Sequence, residues 1–344
     1  MSVSKKKKKK KSVVGRVFFA LGLILSVVTG SMVATLAQTG DSMLGLIQYD
    51  SKDSLSSIDL SEYELKSDAD VINILLVGAD KNNDEQSKKN VERRSDSMMI
   101  ATLDRKNSEL KVTSLMRDMY VEIPGYGKNK LNAAYSFGGI KLLYKTIAKN
   151  FGVSMDGYAE VNFDAFVNVI DEIGGVEVTL TESEAEGLRT TNYIKRKKNR
   201  KVKKGTQTFN GYQTLGYCRI RHGKRQADGR MPGVYTASGK GDDYGRTERQ
   251  RLVMQAIVKK AKSMSPEELL SLAETILPNI KTDISKKEIY SYMLAAVKMG
   301  TTELNQFSLP VEGGYTSQSI GGQDCLVPDL DVNKNALKKF LFNS

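Results

Sequence analysis

The chain has 344 residues, 40% of them hydrophobic, enough for one large domain or two small ones with a proper core. Its formal charge is +12, but residues 1–16 and the run from Lys195 to Lys204 hold eight basic residues each, which leaves −4 on the rest. That excludes a generally basic nucleic-acid surface. One histidine and two cysteines are too few for a zinc site and leave Ser-His-Asp or Cys-His catalysis to His222 alone.

Residues 1–16 read as a cytoplasmic basic tail, with Lys5 to Lys11 ahead of Arg16. Val17 to Ala37 is an uncharged, mostly apolar stretch of 21 residues, which matches the ~20 that a helix needs to cross a bilayer. The polylysine run predicts that the amino terminus stays inside and everything after Ala37 lies outside. A cleaved signal peptide is the alternative, with Thr35-Leu36-Ala37 as the cut, but the apolar stretch is long for that. Residues 38–70 are polar, rich in Ser and Asp, and read as an extracellular stalk.

Residues 71–264 carry the pattern of a folded α/β domain. Val71 to Gly78 is a continuous apolar run that fits a buried central strand. Ser97 to Leu103 and Leu110 to Leu115 read as two strands joined by an Asp104 to Ser108 turn. Gly138 to Asn150 reads as an amphipathic helix. Asp164 to Glu172 reads as a second, stopped by Gly174-Gly175 and followed by strand Val176 to Leu180. Gly216 to Arg221 reads as a strand and Thr247 to Met264 as a long helix. Residues 265–344 open helices at Ser265-Pro266-Glu267-Glu268 and at Ser285 to Glu288, and complete or flank the same domain. The expected fold class is α/β: a layered α-β-α domain with a central mixed sheet, preceded by one N-terminal transmembrane helix.

The charged residues that fit chemistry fall at element ends. Arg219 and Arg221 in YCRIRH are spaced i, i+2, one face of a strand. Arg246, Arg249 and Gln250 in DDYGRTERQR are spaced i, i+3, i+4, one side of a helix start. Guanidinium forks bind phosphate bidentately and keep their charge, so two such elements can close on a dense anion. Cations at a helix start oppose its dipole, a cost that a nearby anion relieves. Arg94 and Asp96 lie at the mouth of a strand, Arg117 and Asp118 close the next, and Lys130 and Asn132 lie in a loop before the 138–150 helix. Charges at successive strand ends commonly converge on a ligand in α/β proteins. Asp80 and Asp96 can supply oxygen ligands to Mg²⁺, with Mn²⁺ the alternative. Asp242 and Asp243 sit beside Arg246, and one of them is a candidate general base, or else an arginine's ion-pair partner.

His222 to Gly245 is a 24-residue insert with six glycines. A structureless insert of that length is either a functional loop or a disordered one. The lysine-rich run at 195–204 is either a solvated loop or a surface for anionic lipid headgroups or anionic polymer. Cys218 and Cys325 are distant in sequence; an outside location permits a disulfide, and a buried free thiol is expected for Cys218.

Together LLVGAD, RSDSMM, SLMRDMYVEIPG, KLNAAYSFGG, the GGVEV ending of the 164–175 segment, and YCRIRH with DDYGRTERQR resemble the LytR-CpsA-Psr family of membrane-anchored cell-wall enzymes, over roughly residues 70–262. The VPDLDVNKNALKKFLF ending also looks like a carboxy terminus of that family. The resemblance implies a phosphotransferase that moves a glycopolymer, such as teichoic acid or capsule polysaccharide, from a polyprenyl-pyrophosphate carrier to the C6 hydroxyl of N-acetylmuramic acid in peptidoglycan. A pyrophosphatase side activity would appear when no acceptor is present. It further implies that Arg94, Arg117, Arg219, Arg221, Arg246 and Gln250 hold the pyrophosphate with Lys130 beside them. Asp80 and Asp96 would hold Mg²⁺, Asp243 would be the base, and the polyprenyl tail would enter a groove between sheet and helices. The implied partners are the lipid-linked polymer, peptidoglycan and membrane lipids, with no nucleic acid. The chain departs from the family pattern in the long insert between Arg221 and Arg246. A non-catalytic membrane-tethered binder of anionic polymer or lipid is the alternative reading.

Overall fold

The computed structural model describes residues 45–50, 54–78, 97–161, 163–261, 264, 268, 277–299 and 304–343. The expected transmembrane stretch, Asp80, Arg94, Asp96, and the helix start at 265 and 266 lie outside the described residues. Among the described residues no helix is long and apolar enough to cross a membrane.

The described elements begin with β1 (Gln48–Tyr49), β2 (Val71–Gly78), β3 (Ser97–Asp104), β4 (Glu109–Leu115), and the hairpin β5 (Tyr120–Ile123) and β6 (Gly127–Lys130). Then come α1 (Leu131–Phe151), β7 (Gly157–Val161), α2 (Phe163–Glu172), β8 (Val176–Leu180), α3 (Glu182–Thr190), β9 (Gly205–Phe209), α4 (Gly211–Tyr217) and α5 (Asp242–Ala261). The rest is β10 (Ile280–Thr282), α6 (Lys286–Met299), β11 (Leu304–Leu309), the hairpin β12 (Tyr315–Ile320) and β13 (Gln323–Pro328), and α7 (Leu330–Phe342).

Seven strands form the central sheet in the order β1-β10-β7-β2-β3-β4-β11. It is mixed: β2 runs parallel to β7 and antiparallel to β3, and β4 runs antiparallel to β3 and parallel to β11. All eight residues of β2 are buried, as a strand covered on both faces requires. Its side chains alternate between two cores. Ile72, Ile74 and Leu76 meet Phe166, Ile170, Val253 and Met254 of α2 and α5 on one face. Val71, Leu75 and Val77 meet Leu143, Ile147 and Phe151 of α1 and Leu337 and Leu341 of α7 on the other. The product is a three-layer α/β/α domain.

Strands from both ends of the chain belong to this sheet. β10 and β11 place the segment after residue 265 inside the same layers. The stalk reading of 38–70 is corrected for the residues described there. β1 pairs with β10, Ile47 and Leu55 are buried, and the Leu55 amide donates to Asp283 Oδ2 at 2.7 Å. Ile58, Leu60, Tyr63 and Leu65 pack partly buried against the same core as Leu55.

Three element readings also change. Gly216 to Arg221 is not a strand: α4 runs to Tyr217 with Cys218 as its C-cap, and an Asn210/Gln213 capping box starts it. Arg219 and Arg221 therefore follow a helix end rather than sharing a strand face. The α1 helix begins at Leu131, not Gly138, so Asn132 is helical and Lys130 is its N-cap. Gly138 and Gly139 are a kink within it, where Gly139 at φ 65°, ψ −153° takes a backbone that essentially only glycine adopts. The α5 helix begins at Asp242, five residues before Thr247.

Candidate active site

The register brings Gly78 opposite Ser97 and Met98 opposite Leu115, so the end of β2, the start of β3 and the end of β4 share one edge of the sheet. Just past that edge the chain turns through Arg117 and Asp118. This turn is clamped from two sides: the Leu131 amide donates to Met119 O at 2.8 Å and the Asn132 amide to Arg117 O at 3.2 Å. From the carboxy-terminal hairpin, the Leu326 amide donates to Asp118 O at 2.9 Å. The start of α1 and the strand β13 thus fix the backbone that carries Arg117.

Four cationic side chains from separate parts of the chain meet here on two carboxylates. Asp243, in the first turn of α5, faces Arg246 Nη2 at 2.6 Å, Arg221 Nη1 at 3.3 Å and Arg117 Nε at 3.8 Å. Asp118 takes Lys130 Nζ at 2.8 Å and lies 3.4 Å from Arg117 Nε. Burial opposes the charge on Asp118, but Arg117 and Lys130, with Arg246 further off, outweigh it and hold its carboxyl below the usual range. Arg246 is only 2% exposed. The described cluster therefore carries more positive than negative charge, partly withdrawn from water, where an anion gains most. Its helix-start anion is internal: Asp242 and Asp243 occupy the first turn of α5 and meet the dipole ahead of Arg246.

The structure separates Arg249 and Gln250 from this cluster, and both depart from the phosphate-binding expectation. Arg249 is fully buried and donates to Glu184 Oε1 at 2.7 Å, Ile220 O at 2.6 Å and Val234 O at 2.8 Å. Gln250 is buried and donates to Cys218 O at 3.3 Å. They hold the backbone on either side of Arg219, which is partly buried on that segment. The helical spacing that put Arg246, Arg249 and Gln250 on one side did not distinguish a ligand-facing arginine from a backbone-holding one. Glu184 is not among the residues that the sequence pattern singles out. Its sequence signal is the Thr181-x-x-Glu184 capping box, which the structure contains, but nothing local announces its ion pair.

The insert is ordered rather than structureless. His222 bridges Gly233, the Gly223 amide donates to Pro232 O at 2.7 Å, and the Tyr235 amide donates to Ser183 Oγ at 2.8 Å. His222 Nδ1 lies 3.3 Å from Asp242 Oδ1, outside the arginine cluster. Cys218 and Cys325 are both free and buried, and burial pushes the Cys218 thiol up, away from the reactive thiolate.

Among the described residues no three His, Cys, Asp or Glu side chains form a metal site. The carboxylates that are described here, Asp118 and Asp243, are both engaged by cations and do not make a metal cage. Asp80 and Asp96, the expected metal ligands, lie outside the described residues.

The LytR_cpsA_psr family model matches residues 31–339. The regulatory protein MsrR of Staphylococcus aureus strain Mu50 is 32% identical over 274 residues, spanning 78% of this chain and 74% of MsrR. A polyisoprenyl-teichoic acid–peptidoglycan teichoic acid transferase, TagU of Bacillus cereus, is 33% identical over 229 residues, spanning 66% of this chain and 65% of TagU. A structure of TagT bound to LIIa-WTA superposes with a TM-score of 0.59 at 26% identity, covering 85% of this chain and 97% of TagT. A family-model match over most of the chain makes this protein a member of the LytR_cpsA_psr family.

Proposed function

We propose that this protein transfers a glycopolymer from a polyprenyl-pyrophosphate carrier to the C6 hydroxyl of N-acetylmuramic acid in peptidoglycan. The observation that carries the proposal is the convergence of Arg117, Arg221 and Arg246 on Asp243, with Lys130 and Arg117 on the neighbouring Asp118. Family membership, the activity in TagU's name and the ligand of TagT support the same substrate class.

In this reading the arginines and Lys130 bind the pyrophosphate and stabilise the charge that grows on its oxygens. The acceptor hydroxyl oxygen bonds to the phosphorus that carries the polymer. The P–O–P bridge breaks and the polyprenyl phosphate leaves. Asp243 takes the hydroxyl proton, with Arg221 and Arg246 orienting its carboxylate. Mg²⁺ or Mn²⁺, held by Asp80 and Asp96, would add charge neutralisation at the phosphates. The same site admits hydrolysis of the carrier pyrophosphate when water replaces the sugar. Such a site needs no activated Ser, Cys or His, which agrees with a single histidine outside the cluster. We place the domain outside the membrane, tethered by the 17–37 stretch, where carrier and acceptor meet.

The test is transfer by the full chain in detergent, with a lipid-pyrophosphate-linked donor and peptidoglycan fragments. Arg246→Ala should lower transfer by about 10² or more, the usual effect of removing one charge-stabilising donor. Asp243→Asn should retain donor binding and lose kcat. Unimpaired transfer by both variants would overturn the proposal, and donor binding without any transfer by the native chain would favour a tethered binder.

A further inference from the structure

No acidic residue occurs between Glu186 and Asp228, although this stretch contains the whole run from Lys195 to Lys204. That run is not a loose loop. Ile194 and Val202 are buried, Arg189 Nη1 donates to Val202 O at 3.2 Å, and Arg200 Nε donates to Ile194 O at 2.8 Å. The segment is laid along α4. A Cβ on Gly216 would come within 2.6 Å of Ile194 Cγ1. The Arg196 guanidinium stacks 4.3 Å from the centre of the Tyr212 ring, and Gln213 Nε2 donates to Asn199 O at 3.0 Å.

Its two arginines and its lysines differ in role. Arg196 and Arg200 bind Tyr212, Ile194 and Asn192 and shape the segment. Lys197, Lys198, Lys201, Lys203 and Lys204 are exposed. Five like charges fixed on a folded segment repel one another, and a polyanion laid across them relieves that cost. The ridge also has a direction. It begins where Ile194 touches the end of α4, the end that leads through Cys218 into Arg219 and Arg221. From there it runs toward the start of α4, a helix about 10 Å long at 1.5 Å per residue.

We propose that this lysine ridge is a docking track for a polyanionic phosphodiester glycopolymer as it extends from the arginine cluster. The proposal rests on the reading of that cluster as the donor pyrophosphate site. It adds a second contact, which selects donors by the charge of the polymer rather than by the pyrophosphate they all share. Continuity with the cluster along α4 favours the polymer over a lipid surface as occupant.

The test uses the full chain in neutral detergent, titrated with soluble, lipid-free poly(glycerol phosphate). The native protein should bind it with an affinity that falls steeply with salt. A variant with Lys197, Lys198, Lys201, Lys203 and Lys204 all changed to Gln should bind at least ten-fold more weakly. Its thermal midpoint, and its transfer from a donor carrying a single uncharged sugar, should be unchanged. Equal polymer binding by variant and native chain would overturn the track. So would unchanged polymer binding with a loss confined to phosphatidylglycerol vesicles, which would assign the ridge to the membrane. If the native chain transfers nothing from the short donor but the variant still loses polymer binding, the track stands and the reading of the cluster fails.

Discussion

Arg249 Nε and Glu184 Oε1 lie 2.7 Å apart with both side chains essentially excluded from water, 0% and 1% exposed. The other two guanidinium nitrogens of Arg249 donate to Ile220 O and Val234 O. One buried ion pair thus ties α5 and α3 to both the arginine-bearing segment and the insert. It sets the position of Arg221 without entering the cluster itself.

Breaking a buried pair by removing one partner leaves a charge without compensation, a loss of about 3–5 kcal/mol. Arg249→Met and Glu184→Leu should each lower stability by that order in denaturant unfolding of the full chain. The double variant, in which neither charge remains, should be less destabilised than the sum of the singles. Purely additive losses would show that the pair does not act as a unit.

A second buried pair sets a pH dependence. Lys111 Nζ lies 2.8 Å from Asp104 Oδ2 and also donates to Leu341 O at 3.2 Å and Asn343 Oδ1 at 3.1 Å, joining β3 and β4 to the end of α7. Burial works against the Asp104 charge, but Lys111 and Asn107 more than offset it, so its carboxyl titrates below the usual range. A depressed folded value means stability that is present above the unfolded value and lost as pH falls through the folded one. Asp283 runs the other way: burial raises it, so its contribution is full below the unfolded value and is lost as pH rises through the folded one. Asp104→Asn should therefore lower stability at neutral pH and flatten the acid limb of the stability profile. Asp283→Asn should leave that acid limb in place. An acid limb unchanged in Asp104→Asn would contradict this assignment.

The kink of α1 gives a third test. Gly139 at φ 65°, ψ −153° lies where a side chain costs about 1–3 kcal/mol. No atom lies within 4 Å of a Cβ built there, so the cost is conformational rather than steric. Gly139→Ala should destabilise by that amount, and Lys141→Ala, at a half-buried position of the same helix, should cost under about 0.5 kcal/mol. Equal midpoints for the two variants would show that the kink is not held.

The elements legible in the sequence are those whose pattern is local. Val71–Gly78 and Val176–Leu180 have the expected bounds because a continuous or alternating apolar run between charges and glycines leaves little choice. Ser285 to Glu288 likewise starts α6, with the Glu288 amide donating to Ser285 Oγ at 3.3 Å. The misread elements have glycines inside helices. Gly138-Gly139 is a kink within α1 rather than its start, and Gly245 lies in the first turn of α5. At Gly216 to Arg221, alternating apolar and charged residues imitate a strand, whereas the structure has the end of a helix that an Asn210/Gln213 capping box starts.

The sequence by itself determined which residue types the site contains and which it lacks. Arginine and aspartate recur at element ends, with one histidine in the whole chain. Only the tertiary structure decided which of those charges face one another. Arg246 and Arg249 sit three residues apart on one helix, yet one meets Asp243 and the other meets Glu184 and two carbonyls. The reason is geometric. Three residues along a helix turn a side chain by roughly 300°, and what it then meets is set by the element packed there. For Arg249 that element is α3, 65 residues earlier in the chain.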